Sequence, residues 1–170
     1  MKAQLDRIDV KIISALQENG RLTNKDLSDR VGLSASPCAV RLRRLEKQGI
    51  IQRYSAVVNL RKITDSITVI LLLYLHESNA RSTRQLEAFV TSLPQTISFY
   101  DVNGECGYVL KLVCRGTDDC YAISRQLLEE EAFRVRQISS YIVFREIRAN
   151  GRHDLPYLLN GRHQAEARIS

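Results

Sequence analysis

The stretch from Leu22 to Gly49 constrains the fold of this chain more than any other segment. Thr23 precedes Asp26 by three residues, which is the spacing of a capping box and predicts the start of a helix. Gly32 is predicted to end that helix, because a residue without a Cβ adopts the left-handed backbone conformation at low cost. Ser34 is predicted to cap a second helix. Two short helices joined by a tight turn are therefore expected.

The second of these helices is basic on one side and apolar on the other. Cys38, Leu42 and Leu45 recur at spacings of four and three residues and predict a buried stripe. The basic residues that lie off this stripe are Arg41, Arg43, Arg44 and Lys47. This is a helix-turn-helix pattern, in which the second helix enters the major groove of DNA. The pattern is also a common packing unit with a solvated cationic face, so both interpretations stay open.

The net charge of +6 is unevenly distributed along the chain. Residues 1–60 hold 11 Lys and Arg against 6 Asp and Glu, whereas residues 61–170 hold 14 against 13. A basic first third followed by a balanced remainder favours a polyanionic partner for the N-terminal part. Basicity that served solubility alone would not explain this asymmetry.

Several functional classes are excluded by simple patterns. The longest apolar run, Val69 to Leu73, is too short to span a membrane, and the charged N-terminus does not resemble a secretory signal. The four cysteines form no Cys-x-x-Cys pair, so we expect no metal site and a reducing compartment. The three histidines are scattered without a nucleophile-base pattern, so we expect no enzyme. A cytoplasmic, nucleoid-associated protein is predicted.

The segments on either side of the central stretch complete a first domain, predicted over residues 1–58. Apolar residues from Leu5 to Leu16 have helical spacing and predict a first helix, with Asp6 and Asp9 in its first turn. Residues 50–58 are rich in β-branched and aromatic side chains and predict an extended strand, either a wing or the exit from the unit. The polar, basic residues 59–65 are predicted to be a linker.

A second domain is predicted over residues 66–148. Strands are expected at 66–76, 97–102, 106–114 and 135–147, with helices at 82–93 and from Thr117 or Asp118 onward. Asn103-Gly104 predicts a two-residue type I′ hairpin turn. This order gives a split βαβ, ferredoxin-like sheet with helices on one face. Residues 149–170 lack a clear period and are predicted to be a flexible C-terminal extension.

The other face of this sheet would be bare in a monomer. The strand at 66–76 is apolar on both sides, and large exposed apolar patches mark interfaces. The simplest cover is a second copy related by two-fold symmetry. A homodimer also suits a helix-turn-helix, because paired recognition helices bind half-sites about 34 Å apart.

Three segments carry a family resemblance: LDRIDVKIISALQENGR, LSDRVGLSASPCAVRLRRLEKQGII and VNGECGYVLKL. From about Leu5 to Arg148, the chain resembles the Lrp/AsnC family of transcription regulators. The resemblance implies an α+β fold, with an N-terminal winged helix-turn-helix followed by a ferredoxin-like βαββαβ effector and oligomerisation domain. It also implies dimers that assemble further, often to octamers, with a tetramer as an intermediate size. Effectors of the family are commonly amino acids, bound near the hairpin glycine.

The resemblance places the DNA-binding segment at residues 24–43, beginning at Asn24. The residues expected near base edges are Ser34, Ser36, Ala39, Val40 and Arg43. The residues expected at phosphates are Lys25, Arg41, Arg44 and Lys47. Arg43 suits either role, because arginine is also the usual partner of guanine. For Ala39 and Val40, ordinary surface packing is an equally open alternative.

The effector hairpin departs from the family pattern Gly-Asp-x-Asp-Tyr. Glu105 keeps a carboxylate at the first acidic place, but Gly107 lacks the second, which could pair with a ligand ammonium. The candidate effector-binding residues are Val102, Gly104, Glu105, Cys106, Gly107 and Tyr108. Gly107 could leave room for a larger ligand, Cys106 could sense a thiol or oxidant, or the loop could bind no effector and serve an oligomer contact.

The function expected from these features is a sequence-specific DNA-binding transcriptional regulator of the Lrp/AsnC type, responding to an amino acid or a related small metabolite. The expected partners are double-stranded DNA and other copies of the chain, without a membrane or a bound cofactor. The alternative is an effector-independent architectural DNA-binding protein.

Overall fold

The computed structural model describes residues 3–77, 79–147 and 153–159. The chain divides into two compact units, one of residues 1–57 with 148–170 and one of residues 58–147. Each unit has its own cluster of buried apolar side chains. The predicted fold class is confirmed: a three-helix unit precedes a four-stranded antiparallel sheet with helices.

The first unit is built from α1 (Arg7–Glu18), α2 (Asn24–Val31) and α3 (Ala35–Lys47). Apolar residues at helical spacing turn one face of each helix toward a common core. That core is lined by Ile12, Ala15, Leu27, Val31, Cys38 and Leu45. Burial of these side chains holds three short helices together, because helices of this length are marginal in isolation.

The helix boundaries predicted for α2 are confirmed. The Thr23 hydroxyl accepts a hydrogen bond from the Asp26 amide at 3.1 Å, and the Asp26 carboxylate accepts one from the Thr23 amide. Gly32 ends the helix in the left-handed conformation, with φ of 75°. Ser34 does occupy the N-cap of α3, but its side chain makes no capping hydrogen bond, so that part of the prediction is wrong.

The strand predicted at 50–58 is wrong. The backbone of residues 52–58 is extended or irregular and pairs with no other described segment. A strand requires a partner for its N–H and C=O groups, and the described part of this unit provides only helices. The Tyr54 hydroxyl instead donates to Glu46 Oε1 at 2.8 Å, which ties the segment to α3.

The second unit follows the predicted strand and helix order. Its elements are β1 (Ile67–Leu75), α4 (Ala80–Ser92), β2 (Thr96–Asp101), β3 (Tyr108–Cys114), α5 (Thr117–Glu129) and β4 (Val135–Ile142). The sheet order is β2-β3-β1-β4, and every neighbouring pair is antiparallel. In β1, Leu71 pairs with Leu110 of β3 on one side and with Ser140 of β4 on the other.

The two faces of this sheet have different surroundings. Val69, Leu71 and Leu73 alternate along β1 and are fully buried in one cluster with Leu86 of α4 and Leu127 of α5. The residues between them in β1 point the other way and stay partly exposed. We call this second surface the open face. Its apolar and long side chains are Ile70, Leu72, Tyr74, Tyr100, Val109, Lys111, Val113 and Tyr141, and the register adds the polar residues Thr68, Ser98, Gln137 and Ser139.

The hairpin turn predicted at Asn103-Gly104 is wrong. Asn103 lacks the positive φ that a type I′ turn needs at both central residues. The Val102 amide donates to the Gly107 carbonyl at 3.0 Å, so residues 103–106 form a longer loop. The Gly107 amide also donates to the Leu73 carbonyl at 2.9 Å, which fixes the end of the loop to β1.

Several element ends in this unit also differ from the sequence prediction. The third strand begins at Tyr108 rather than residue 106, and α4 begins at Ala80 rather than residue 82. The N-cap of α5 is Gly116 rather than Thr117 or Asp118. The carboxylate of Asp119, in the first turn, accepts from the Arg115 amide at 3.1 Å, and this bond is the first cause that holds the pKa of Asp119 below its usual range. The last strand ends at Ile142 rather than residue 147. The Val143 amide still donates to the Thr68 carbonyl at 2.9 Å, and β1 itself begins one residue before Thr68.

The C-terminal extension is described only at residues 153–159. Residues 155–159 form a short helical turn. The His153 amide donates to Gln17 Oε1 at 2.8 Å, which connects this segment to α1. The flexibility predicted for the rest of the extension concerns residues that lie outside the described part of the chain.

Candidate nucleic-acid interface

The outer face of α3 is the candidate surface for DNA. Cys38 and Leu45 are fully buried and fix the inner side of the helix. With 3.6 residues per turn, Ser36, Val40, Arg43 and Lys47 then share the opposite side. All four are exposed, and Val40 retains 58% of its accessible surface. We define these four residues as the outer face of α3.

The start of α3 is held in place by α2. The Asn24 side-chain amide donates to the Ala35 carbonyl at 3.0 Å, at the first residue of α3. The turn between the helices is closed by a bond from the Leu33 amide to the Ser28 carbonyl at 3.0 Å. Asn24 therefore orients the N-terminal end of α3, which is the end that contacts base edges in helix-turn-helix proteins.

Two basic residues of α3 are paired with acids of α1. Arg41 Nη1 lies 3.0 Å from Asp9 Oδ1 and 2.5 Å from Asp6 Oδ2, and Arg44 Nη2 pairs with Asp9 Oδ2. The hydrogen bonds to both carboxylates raise the pKa of the Arg41 guanidinium above its usual range. The flank of α3 beside α1 therefore carries less free positive charge than the sequence suggests.

The other predicted DNA-binding residues fall into two groups. Lys25, Ser34, Ser36, Val40, Arg43 and Lys47 are exposed, and Ala39 is partly exposed. Asn24, Arg41 and Arg44 are also accessible but have partners within the unit. Sequence reasoning missed Asp9, because an acid in the first turn of a helix is expected merely to favour the helix dipole. Asp9 lies 32 residues from Arg41 and 35 residues from Arg44, so no local sequence pattern indicates that these side chains meet.

The candidate effector residues do not form one uniform surface. Gly104 and Glu105 are exposed, whereas Val102, Cys106 and Gly107 are partly exposed. Tyr108 is buried in the core, stacks on Phe99 with ring centroids 4.8 Å apart, and donates from its hydroxyl to Glu87 at 3.1 Å. Burial, followed by Glu87, raises the pKa of Tyr108 to about 12. Tyr108 therefore anchors the loop from inside.

Gly107 has a packing reason to lack a side chain. A Cβ placed there would lie 3.2 Å from Leu75 Cδ1 and 3.3 Å from Leu75 Cγ, which is closer than ordinary van der Waals contact. Its backbone is also held by hydrogen bonds to Val102 and Leu73. The loop approaches the end of β1 closely at Gly107, so an aspartate at this position would have to displace the Leu75 side chain.

Within residues 3–77, 79–147 and 153–159, no three His, Cys, Asp or Glu side chains lie together as metal ligands would. No helix of that described part is both long and apolar enough to cross a bilayer.

Comparisons with known proteins agree with this arrangement. Residues 5–52 match the winged helix-turn-helix DNA-binding family, and residues 68–152 match the Lrp/AsnC ligand binding domain. The leucine-responsive regulatory protein of Salmonella typhimurium is 37% identical over 151 residues, covering 87% of this chain and 90% of that protein. Its counterpart from Escherichia coli K12 is 36% identical over the same length and coverage.

Solved structures show the same fold. An AsnC family transcriptional regulator from Agrobacterium tumefaciens superposes with a TM-score of 0.82 at 27% identity, covering 91% of this chain and 99% of its own. A transcriptional regulator from Neisseria meningitidis, solved in complex with L-Met, has a TM-score of 0.80 at 30% identity and the same coverage. These relatives are transcriptional regulators, not enzymes. The three-helix unit, the ligand-binding fold and the sequence identity together place this chain in the Lrp/AsnC family of DNA-binding transcriptional regulators.

Proposed function

We propose that this regulator recognises its operators through the outer face of α3, presented twice by a homodimer. The observation that carries the proposal is the exposure of Ser36, Val40, Arg43 and Lys47 on one side of a helix whose opposite side is fully buried. Ser34, Ser36, Ala39, Val40 and Arg43 would meet base edges, while Lys25 and Lys47 would meet phosphates. Arginine and lysine supply most of the affinity at phosphates but little sequence information.

The open face supports the homodimer. It presents Ile70, Leu72 and Val109 to solvent, and Tyr100 and Tyr141 retain 57% and 55% of their accessible surface. An apolar surface on one side of a sheet is characteristic of an interface. A second copy would bury the same residues by two-fold symmetry. The family resemblance extends this proposal to tetramers and octamers built from such dimers.

A division of roles within α3 makes the proposal testable. We expect Arg43→Ala to reduce discrimination between an operator and its single-base variants by roughly 5- to 150-fold at one position, since a bidentate base contact is worth about 1–3 kcal/mol. We expect Lys47→Ala to weaken binding to all sequences alike and to flatten the salt dependence by about one unit of slope. Fluorescence anisotropy on an operator selected from genomic DNA measures both effects.

Lys11→Ala is the matched control, because it removes an exposed charge from α1 rather than from α3. It should leave both discrimination and salt slope close to those of the wild type. If Arg43→Ala and Lys47→Ala lower affinity equally on every sequence, the assignment of Arg43 to a base edge is wrong.

We further propose that the loop at 102–107 tunes the response to an amino acid or a related metabolite. The L-Met complex of the Neisseria relative supports an effector of this class. Gly107→Asp would restore a carboxylate that can pair with a ligand ammonium, and such a charged hydrogen bond is worth about 1.5–3 kcal/mol. We therefore expect at least one amino acid to bind roughly 10- to 100-fold more tightly, as measured by isothermal titration calorimetry.

The matched control for the loop is Gly107→Ala. It introduces the same Cβ against Leu75 but no charge, so it separates the packing cost from the effect of the carboxylate. Identical titration heats for the two variants across a panel of amino acids would rule out this role for the position.

An effector-independent architectural role is the second candidate function, and the departure at Gly107 favours it. The ratio of operator affinity to random-sequence affinity at fixed salt distinguishes a regulator from a compacting protein.

We also propose a division of the chain into a DNA-binding domain at residues 1–58, a linker at 59–65, an effector domain at 66–148 and an extension at 149–170. We propose that the protein is cytoplasmic and nucleoid-associated.

A further inference from the structure

Asp9 is a charged side chain in an unusual setting, since only 1% of its surface is exposed. A buried carboxylate is costly unless it is paired and hydrogen-bonded. Asp9 Oδ1 accepts from Arg41 Nη1 at 3.0 Å, and Oδ2 accepts from Arg44 and from the Asp6 amide. Two of its three partners are therefore arginines of the recognition helix.

Asp6 reinforces the same pairing from the start of α1. Its carboxylate caps the helix by accepting from the amides of Ile8 and Asp9, and it also accepts from Arg41 Nη1 at 2.5 Å. The amide of Asp9, followed by Arg41, holds the pKa of Asp6 below its usual range. Asp6 thus stays ionised, and Arg41 has two anionic partners.

The basic residues of α3 consequently differ in availability. Arg41 and Arg44 lie on the flank next to α1, whereas Arg43 and Lys47 lie on the outer face and have no ion pair with any residue in the described part of the chain. The side chains of Arg41 and Arg44 retain 30% and 44% of their surface, so both remain within reach of solvent. Their pairing, rather than their burial, restrains them.

We propose that Asp9 is a positioning residue that limits how many cations α3 offers to the DNA backbone. By holding Arg41 and Arg44 against α1, it leaves Arg43 and Lys47 as the free cations of the helix. This inference rests on the proposed use of α3 as the DNA-contacting helix, and it revises the assignment of Arg41 and Arg44 to phosphates.

The physical reason is a competition between anions. A phosphate that captured Arg44 or Arg41 would remove one of the two counter-charges of the buried Asp9 carboxylate, and the capture of both would remove all of its counter-charge. That penalty offsets the gain from the new contact. Phosphate contacts supply sequence-independent affinity, so withholding two of them lowers non-specific binding more than it lowers base recognition. The acids on α1 therefore favour discrimination over raw affinity.

The test is the salt dependence of binding by the full-length Asp9→Asn variant. Asparagine keeps an oxygen that can accept from the Asp6 amide. It removes the charge that holds Arg44 and one of the two charges that hold Arg41, whose other partner is Asp6. We expect tighter binding to a random-sequence duplex and a salt slope steeper by about 0.9 for each arginine released per protomer. The ratio of operator to random-sequence affinity should fall.

A cycle with the arginines separates this role from a merely structural one. Replacing both Arg41 and Arg44 by glutamine should leave the salt slope unchanged in the wild-type background and should return it to the wild-type value in the Asp9→Asn background. The matched control, Asp29→Asn, removes the same charge from an exposed position on α2 and should leave the slope unchanged.

Two results would overturn the proposal. One is an Asp9→Asn protein that binds every duplex more weakly at an unchanged slope, which would make Asp9 a stability residue only. The other is a flatter salt slope when Arg41 and Arg44 are replaced in the wild-type background, which would show that both arginines contact DNA phosphates in the wild-type protein. If circular dichroism shows that Asp9→Asn or the double arginine variant does not fold, the single variants Arg41→Gln and Arg44→Gln decide, because each leaves Asp9 one arginine partner. Each should keep the wild-type salt slope, and a flatter slope in either would overturn the proposal. The proposed function has a separate test: if the wild-type protein bound operator and random-sequence DNA with equal affinity, operator recognition itself would be wrong.

Discussion

Replacing Leu72 by aspartate is expected to dissociate the proposed homodimer and to weaken operator binding by at least about 100-fold. Leu72 lies within the open face, between Val109 of β3 and Ser139 of β4. A carboxylate buried there without a partner is strongly destabilising, and two-fold symmetry introduces it twice. A monomer carries only one α3 and loses joint binding to two half-sites. Sedimentation velocity and operator titration measure the two losses.

Leu128→Asp is the matched control for this experiment. It makes the same chemical change on the exposed side of α5, away from the open face. The control should retain the wild-type sedimentation coefficient and operator affinity. A Leu72→Asp protein that is folded by circular dichroism, remains dimeric and binds its operator normally would show that the open face is not the dimer interface.

Replacing Leu45 by alanine is expected to unfold the DNA-binding unit while the second unit stays folded. Leu45 is fully buried in the small core shared by α1, α2 and α3. Removing a buried leucine side chain costs about 2–5 kcal/mol, and a whole domain is stabilised by only about 5–15 kcal/mol. A small core is at the lower end of that range, so the loss is sufficient to populate the unfolded unit.

Hydrogen exchange followed by mass spectrometry distinguishes the two units. Peptides from 7–47 should lose protection in Leu45→Ala, whereas peptides from 67–142 should keep it, because the buried side chains of the sheet form a separate cluster. Val40→Ala is the stability control on the same helix, since its side chain is mostly exposed. Equal loss of protection in both units would show that they unfold together.

The parts of the fold that the sequence predicted correctly depend on neighbours within a few residues. The capping box of Thr23 and Asp26, the left-handed Gly32 and the apolar stripe of α3 each involve atoms three or four positions apart. The outer face of α3 follows from the same periodicity. Such features are recognisable in a sequence because the backbone itself brings the interacting groups together.

The errors share a different cause. Asn103-Gly104 has the strongest local preference for a tight turn, yet the bond from Gly107 to Leu73 of β1 determines where the loop closes. Residues 50–58 have strand propensity, but no described segment pairs with them. For the loop, a hydrogen bond to a residue distant in sequence outweighed the local turn preference. For residues 50–58, the lack of such a partner in the described part of the chain outweighed the local strand propensity.

The amino-acid sequence by itself determined where α2 begins and ends, the order of strands and helices in the second unit, and the basic character of α3. Only the tertiary structure decided which of the basic side chains are free, because Asp9 meets Arg41 and Arg44 across more than thirty intervening residues. Periodicity governs which side of a helix is polar. The charge that this side presents to a partner depends on the packing of one helix against another, since ion pairs form between side chains that only folding brings within a few ångströms.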